Sequence, residues 1–91
     1  MKIDKFNVLI IRKGDAYGLN SCLTHDEDEP LVEFYDARYP HTEHGQFVSR
    51  YYLKTLLKND ECGISLDCGR PDMSLNSRDM KVVRVWLAAQ V

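Results

Sequence analysis

No apolar run in this chain approaches the roughly 18 residues that span a bilayer, and Met1-Lys2-Ile3-Asp4-Lys5 is not followed by the long apolar stretch and small-residue cleavage site of a secretory signal. These absences predict a cytoplasmic protein with no membrane association. Cysteine is scarce: three residues, an odd count without an export signal, argue against a disulfide framework and for reduced thiols used as small core fillers. An excess of one charge is missing too. Twelve basic and fourteen acidic side chains give a formal charge of −2, so any electrostatic partner has to be met by a local patch. The chain has no internal repeat, linker or low-complexity segment.

What the sequence does hold is a composition of 44% hydrophobic and 29% charged residues over 91 positions, which fits a single domain spanning residues 1–91. Such a chain buries about 60 to 65% of its unfolded surface and keeps only about 5 to 10 kcal/mol of stability. A monomer can fold at that size, and a homodimer would gain further burial.

The uninterrupted Val8-Leu9-Ile10-Ile11, within Asn7 to Arg12, is rich in β-branched residues and predicts a central strand covered on both faces. Tyr17, Leu19, Ser21 and Leu23 share one face of a second, weaker strand after the Lys13-Gly14-Asp15 turn. His25-Asp26-Glu27-Asp28-Glu29-Pro30 is a self-repelling exposed loop. Leu31 to Ala37 alternates as a half-buried strand, with Val32 and Phe34 on one face and Leu31, Glu33, Tyr35 and Ala37 on the other. Pro40 ends it.

From about His44 to Lys58 the period becomes helical, gathering Val48, Tyr52, Leu53 and Leu56 on one side and Arg50, Lys54 and Lys58 on the other. Cys62 to Cys68 predicts a fourth strand, and Ser77 is the expected N-cap of a final helix reaching about Gln90, with Asp79 near its positive end. Val82, Val83, Val85 and Trp86 have strand propensity, but Lys81, Arg84 and Ala88 share a face at helical spacing, which favours helix. The expected fold is α+β, order βββαβα: an antiparallel sheet of about four strands with two helices packed on one face, burying Trp86, Val83, Tyr52 and Leu56 together.

Several residue groups bear on chemistry. Cys22, His25, Cys62 and Cys68 are suitable zinc ligands, but Cys62 and Cys68 are five residues apart on a predicted strand and do not form a knuckle, so no metal is assigned. Asp26 to Glu29 lacks the glycine and distant glutamate of a calcium loop. His41 and His44, three apart, fit the flank of a helix start better than an acid–base pair, and no cysteine nucleophile has a diagnostic partner. No catalytic residue or cofactor follows.

The remaining signal is aromatic and basic. Arg50, Lys54 and Lys58 form an i,i+4 stripe bordered by Phe47 and Tyr51, and Tyr35, Tyr39, Tyr51 and Tyr52 crowd the strand-to-helix junction with His41 and His44. Such rings bury area at low entropic cost while keeping a polar tip, the chemistry of protein hot spots and of nucleic-acid surfaces. The expected partner-binding residues are Tyr35, Tyr39, His41, His44, Phe47, Arg50, Tyr51, Lys54 and Lys58.

The line Tyr39-Pro40-His41-Thr42, Gly45-Gln46-Phe47-Val48-Ser49-Arg50-Tyr51-Tyr52 and Thr55-Leu56-Leu57, then Gly63, Leu66, Gly69, Pro71, Ser74-Leu75, Met80 and Trp86-Leu87, resembles small single-domain proteins of bacterial plasmids and prophages that have no established activity. The resemblance covers about residues 31 to 87 and implies a mobile-element setting. By analogy with small mobile-element proteins that bind and inhibit host proteins, including CRISPR complexes, the expectation is a non-enzymatic protein-binding domain, an inhibitor of a host defence or regulatory protein. Its partner would be a host or phage protein with an acidic surface. A nucleic-acid-associated accessory protein using the basic face is the alternative, and a small Cys/His enzyme the second.

Overall fold

The computed structural model describes residues 1–12, 30–39, 42–58, 63–67 and 69–90. Four antiparallel strands, β1 (Lys2–Ile3), β2 (Phe6–Ile11), β3 (Leu31–Asp36) and β4 (Gln46–Tyr52), lie side by side in chain order. A short helix α1 (Leu53–Lys58), a two-stranded ladder of β5 (Ile64–Ser65) and β6 (Ser74–Leu75), and α2 (Ser77–Ala89) complete an α+β domain. No helix among the described residues is long and apolar enough to cross a membrane.

Register divides the sheet into two faces. Phe6 opposite Asp36, Val8 opposite Phe34 and Ile10 opposite Val32 point one way, and Asn7, Leu9 and Ile11 meet Tyr35, Glu33 and Leu31 on the other. The first face carries the core. Phe6, Val8, Val32 and Phe34 pack with Leu53 and Leu56 of α1, with Met80, Val83 and Leu87 of α2, and with Leu66, Met73 and Leu75. Both helices therefore cover one side of the sheet, as the sequence pattern predicts.

The α2 helix forms against the β-propensity of its valines because Met80, Val83 and Leu87 recur at helical spacing and all bury completely. Its N-cap is Asn76, one residue before the expected Ser77; the Asn76 side-chain oxygen accepts from the Asp79 backbone N–H at 2.8 Å. Trp86 packs partly against the core with Val83 and Leu56, but Tyr52 is 48% exposed and is not the core residue that helical spacing predicts.

The largest departure lies in residues 44–58. Gln46 to Tyr52 form strand β4, paired along β3, and only Leu53 to Lys58 are helical. The β3–β4 register shifts between Phe34 and Tyr35: Phe34 faces Ser49 and Tyr35 faces Phe47, which leaves Val48 as the extra residue of a bulge. Alternation changes phase there, so Phe47, Arg50 and Tyr52 share the outer face while Val48 and Tyr51 pack toward the core. β3 is also buried on both faces, with Leu31 and Glu33 as inaccessible as Val32 and Phe34, and is not the half-buried strand expected. Of the strand expected from Cys62 to Cys68, the described residues Ile64 and Ser65 pair with Leu75 and Ser74 in a separate two-stranded ladder and not with the main sheet. The strand expected from Tyr17 to Leu23 lies outside the described residues.

The turn that aims β4 is built by two side chains and one glycine. Buried Asp36 accepts from the Arg38 backbone N–H at 3.0 Å and, through both carboxylate oxygens, from Arg38 Nε at 3.0 Å and Nη2 at 2.8 Å. Those hydrogen bonds from Arg38 hold the Asp36 carboxyl below its ordinary pKa, against the opposing effect of burial. Gly45 then takes φ +114°, and a Cβ there would stand 2.3 Å from the Asp36 carbonyl oxygen.

Candidate functional site

The outer face of the β3–β4 ladder gathers Tyr35, His44, Phe47 and Arg50 around Glu33. Direct pairing places Glu33 opposite Arg50 and Tyr35 opposite Phe47, so four side chains converge because of the bulge, not because of sequence spacing. Arg50 Nε donates to Glu33 Oε2 at 2.8 Å, and the Tyr35 hydroxyl donates to Glu33 Oε1 at 2.9 Å. The Glu33 and Arg50 side chains are only 3% and 11% exposed, so the ion pair is removed from water and fixes both partners.

Rings complete the arrangement. Tyr35 sits 5.7 Å from both Phe47 and His44, at 77° and 58°, and the Arg50 guanidinium lies 5.3 Å from the Phe47 ring centroid. The Asn7 amide donates to the His44 carbonyl at 2.6 Å and ties the turn to β2, while Thr42 Oγ1 donates to the Gly45 carbonyl and accepts from the His44 N–H. Phe47 is nevertheless 42% exposed, and Tyr52 stands open beside Lys54, whose Nζ is 5.8 Å from its ring.

Desolvation first, then the hydrogen bond to Glu33 and its charge, push the Tyr35 hydroxyl up to about 12. At neutral pH Tyr35 is a fixed hydrogen-bond donor rather than a base. Because Glu33 already holds Tyr35 and Arg50 through hydrogen bonds, these side chains have less freedom to lose on contact, which suits the surface to binding.

The other expected site residues are dispersed. Tyr51 turns to the opposite face, meets Phe34 edge-on at 5.9 Å and donates its hydroxyl to the Ser65 carbonyl at 3.3 Å. Tyr39 is exposed in the turn under the Arg38 guanidinium, 5.4 Å from its ring. Lys54 and Lys58 are exposed on α1 but share no helix with Arg50, so the predicted basic stripe does not exist: a strand projects alternate residues to opposite faces. His41, and with it Cys22, His25, Cys62 and Cys68, lies outside the described residues. Sequence reasoning missed Glu33, although its place beside Tyr35 on one strand face was the available signal, and it missed Asn7 and the outward position of Tyr52.

No protein family matches the chain, and neither do the curated proteins or the solved structures with which it was compared.

Proposed function

We propose that this is a non-enzymatic binding domain that recognises a protein partner through the outer face of β3 and β4. The observation that carries the reading is the exposed Phe47, packed on Tyr35 and Arg50 of the buried layer around Glu33, with exposed Tyr52 on the same face of the sheet. Exposed aromatics held over buried polar pairs match the composition of binding hot spots, where rigid rings supply area and polar groups are already satisfied. Under the resemblance to small plasmid and prophage proteins, such a domain would act by occupying a surface of a host defence or regulatory protein. The nucleic-acid reading drew on a helical stripe of Arg50, Lys54 and Lys58, and Arg50 is instead committed to Glu33 on a strand.

The test is capture of the partner from cells that carry the gene, followed by reconstitution from purified components and hydrogen-exchange mapping. Phe47→Ser and Tyr52→Ser should melt like the wild type and lose binding by roughly tenfold or more each, with protection centred on β3 and β4. A footprint elsewhere, with both variants binding normally, refutes the assignment.

A further inference from the structure

β4 is the last strand of the main sheet. Among the described residues it forms a ladder with β3 alone, and no further backbone hydrogen bond involves Gln46 to Tyr52. A strand turns alternate backbone groups to either side, so one row of donors and acceptors on β4 is left for another strand. The opposite edge is blunted, because β1 has only two residues and one of them is Lys2. β4 has seven residues, none of them buried, and its single charge, Arg50, is held by Glu33. We propose that this edge pairs antiparallel with β4 of a second copy, about a two-fold axis between Val48 and Ser49.

The bulge selects that occupant. Gln46, Ser49 and Tyr51 lie opposite Asp36, Phe34 and Val32 on the core side of the sheet, and Val48 packs there too. Phe47, Arg50 and Tyr52 lie opposite Tyr35, Glu33 and Leu31 on the outer side. From Gln46 to Tyr51 the order is therefore in, out, in, in, out, in, which is the same in both chain directions. A foreign strand of regular alternation falls out of phase at Val48, which is how a bulge protects an edge. A second copy carries the same break. The proposed axis sets Gln46 opposite Tyr51, Phe47 opposite Arg50 and Val48 opposite Ser49, with faces matched at every pair and each contact made twice. An axis through Ser49 would set outward Phe47 against inward Tyr51, and one through Arg50 would bring the two guanidinium groups together. In the matched register Arg50 instead meets the second copy's Phe47, the kind of ring its guanidinium already approaches at 5.3 Å within one chain. Pairing also adds burial to a chain of small size.

This inference goes beyond the protein-partner reading and can fail separately from it. The test is sedimentation of the full chain from micromolar to millimolar concentration, with isotope-filtered NOE spectra on a mixture of labelled and unlabelled chains. The mass should rise to that of two chains, with intermolecular contacts from Phe47 to Arg50 and from Gln46 to Tyr51. Phe47→Lys sets like charges opposite each other twice and should weaken dimerisation roughly tenfold or more, whereas Phe47→Glu, facing the same Arg50, should keep the dimer. Thermal melts check that both variants fold, and the wild-type contacts decide the register without them. A mass of one chain throughout, a dimer whose intermolecular contacts lie away from β4, or equal dimerisation of Phe47→Lys overturns the proposal. So does a chain that stays monomeric while a regular alternating threonine–valine peptide protects the β4 amides from exchange.

Discussion

Replacing Arg50 by methionine should be among the most damaging single changes to the outer sheet face, although the sequence pattern places Arg50 in a partner-binding basic stripe. The substitution keeps most of the aliphatic volume but leaves the Glu33 carboxylate, 3% exposed, without its cation. Tyr35 still donates to Oε1, whereas Oε2 loses the Arg50 guanidinium. An orphaned buried charge of this kind costs about 3 to 5 kcal/mol, a large share of the roughly 5 to 10 kcal/mol available to a domain of this size. The midpoint of thermal unfolding should fall by at least about 12 °C. Replacing both partners, Glu33→Leu with Arg50→Met, should recover most of that loss and land within about 2 kcal/mol of the wild type, since the desolvation of both charges is removed together. Urea unfolding reports these differences through Trp86, the single tryptophan, which packs against the core. Adding the single variant Glu33→Leu completes a double-mutant cycle that gives the coupling directly. If Arg50→Met costs under about 1 kcal/mol, the pair behaves like a solvent-exposed one and the rigid platform argued for Phe47 does not exist.

Three further outcomes follow from the same geometry. Gly45→Ala should destabilise by about 1 to 3 kcal/mol or more in denaturant melts, because φ +114° is strained for any L side chain and the new Cβ meets the Asp36 carbonyl oxygen. Asp36 contributes stability that is present above the unfolded carboxylate pKa and lost as the pH falls through its lowered folded value, so the melting temperature should drop on acidification and Asp36→Asn, already destabilised, should show a shallower acid limb. Tyr35 has the opposite sign: its contribution is intact below the ordinary tyrosine pKa of about 10 and is lost as the pH rises toward about 12. Ultraviolet titration should therefore show a late tyrosinate step that Tyr35→Phe removes, and an unchanged titration curve in that variant would contradict the buried hydrogen bond to Glu33.

Local pattern was sufficient for parts of this protein. Val8 to Ile11 and Leu31 to Asp36 are strands because short β-branched or alternating segments have few other ways to bury their side chains. Residues 77–89 are helical because Met80, Val83 and Leu87 repeat over about two turns behind an Asn76 cap, enough to override the preference of three valines for a strand. The α+β class, with both helices on one side of the sheet, follows from those segments and their order.

Residues 46–52 show where local pattern stops. A bulge at Val48 shifts the alternation by one, so Val48 and Tyr51 face the core while Phe47, Arg50 and Tyr52 face outward. Apolar residues three and four apart then imitate a helical period over less than two turns, and only pairing with β3 distinguishes the two. The fate of Arg50 depends on the same register: its guanidinium is buried because Glu33, seventeen residues earlier, lies directly across the ladder. Which segments had apolar faces to bury is legible in the chain, since that is a property of neighbouring residues. The tertiary structure alone decided which face each residue of β4 takes and which charges are paired, because register is fixed by contacts between distant segments and one residue of slip exchanges the two faces.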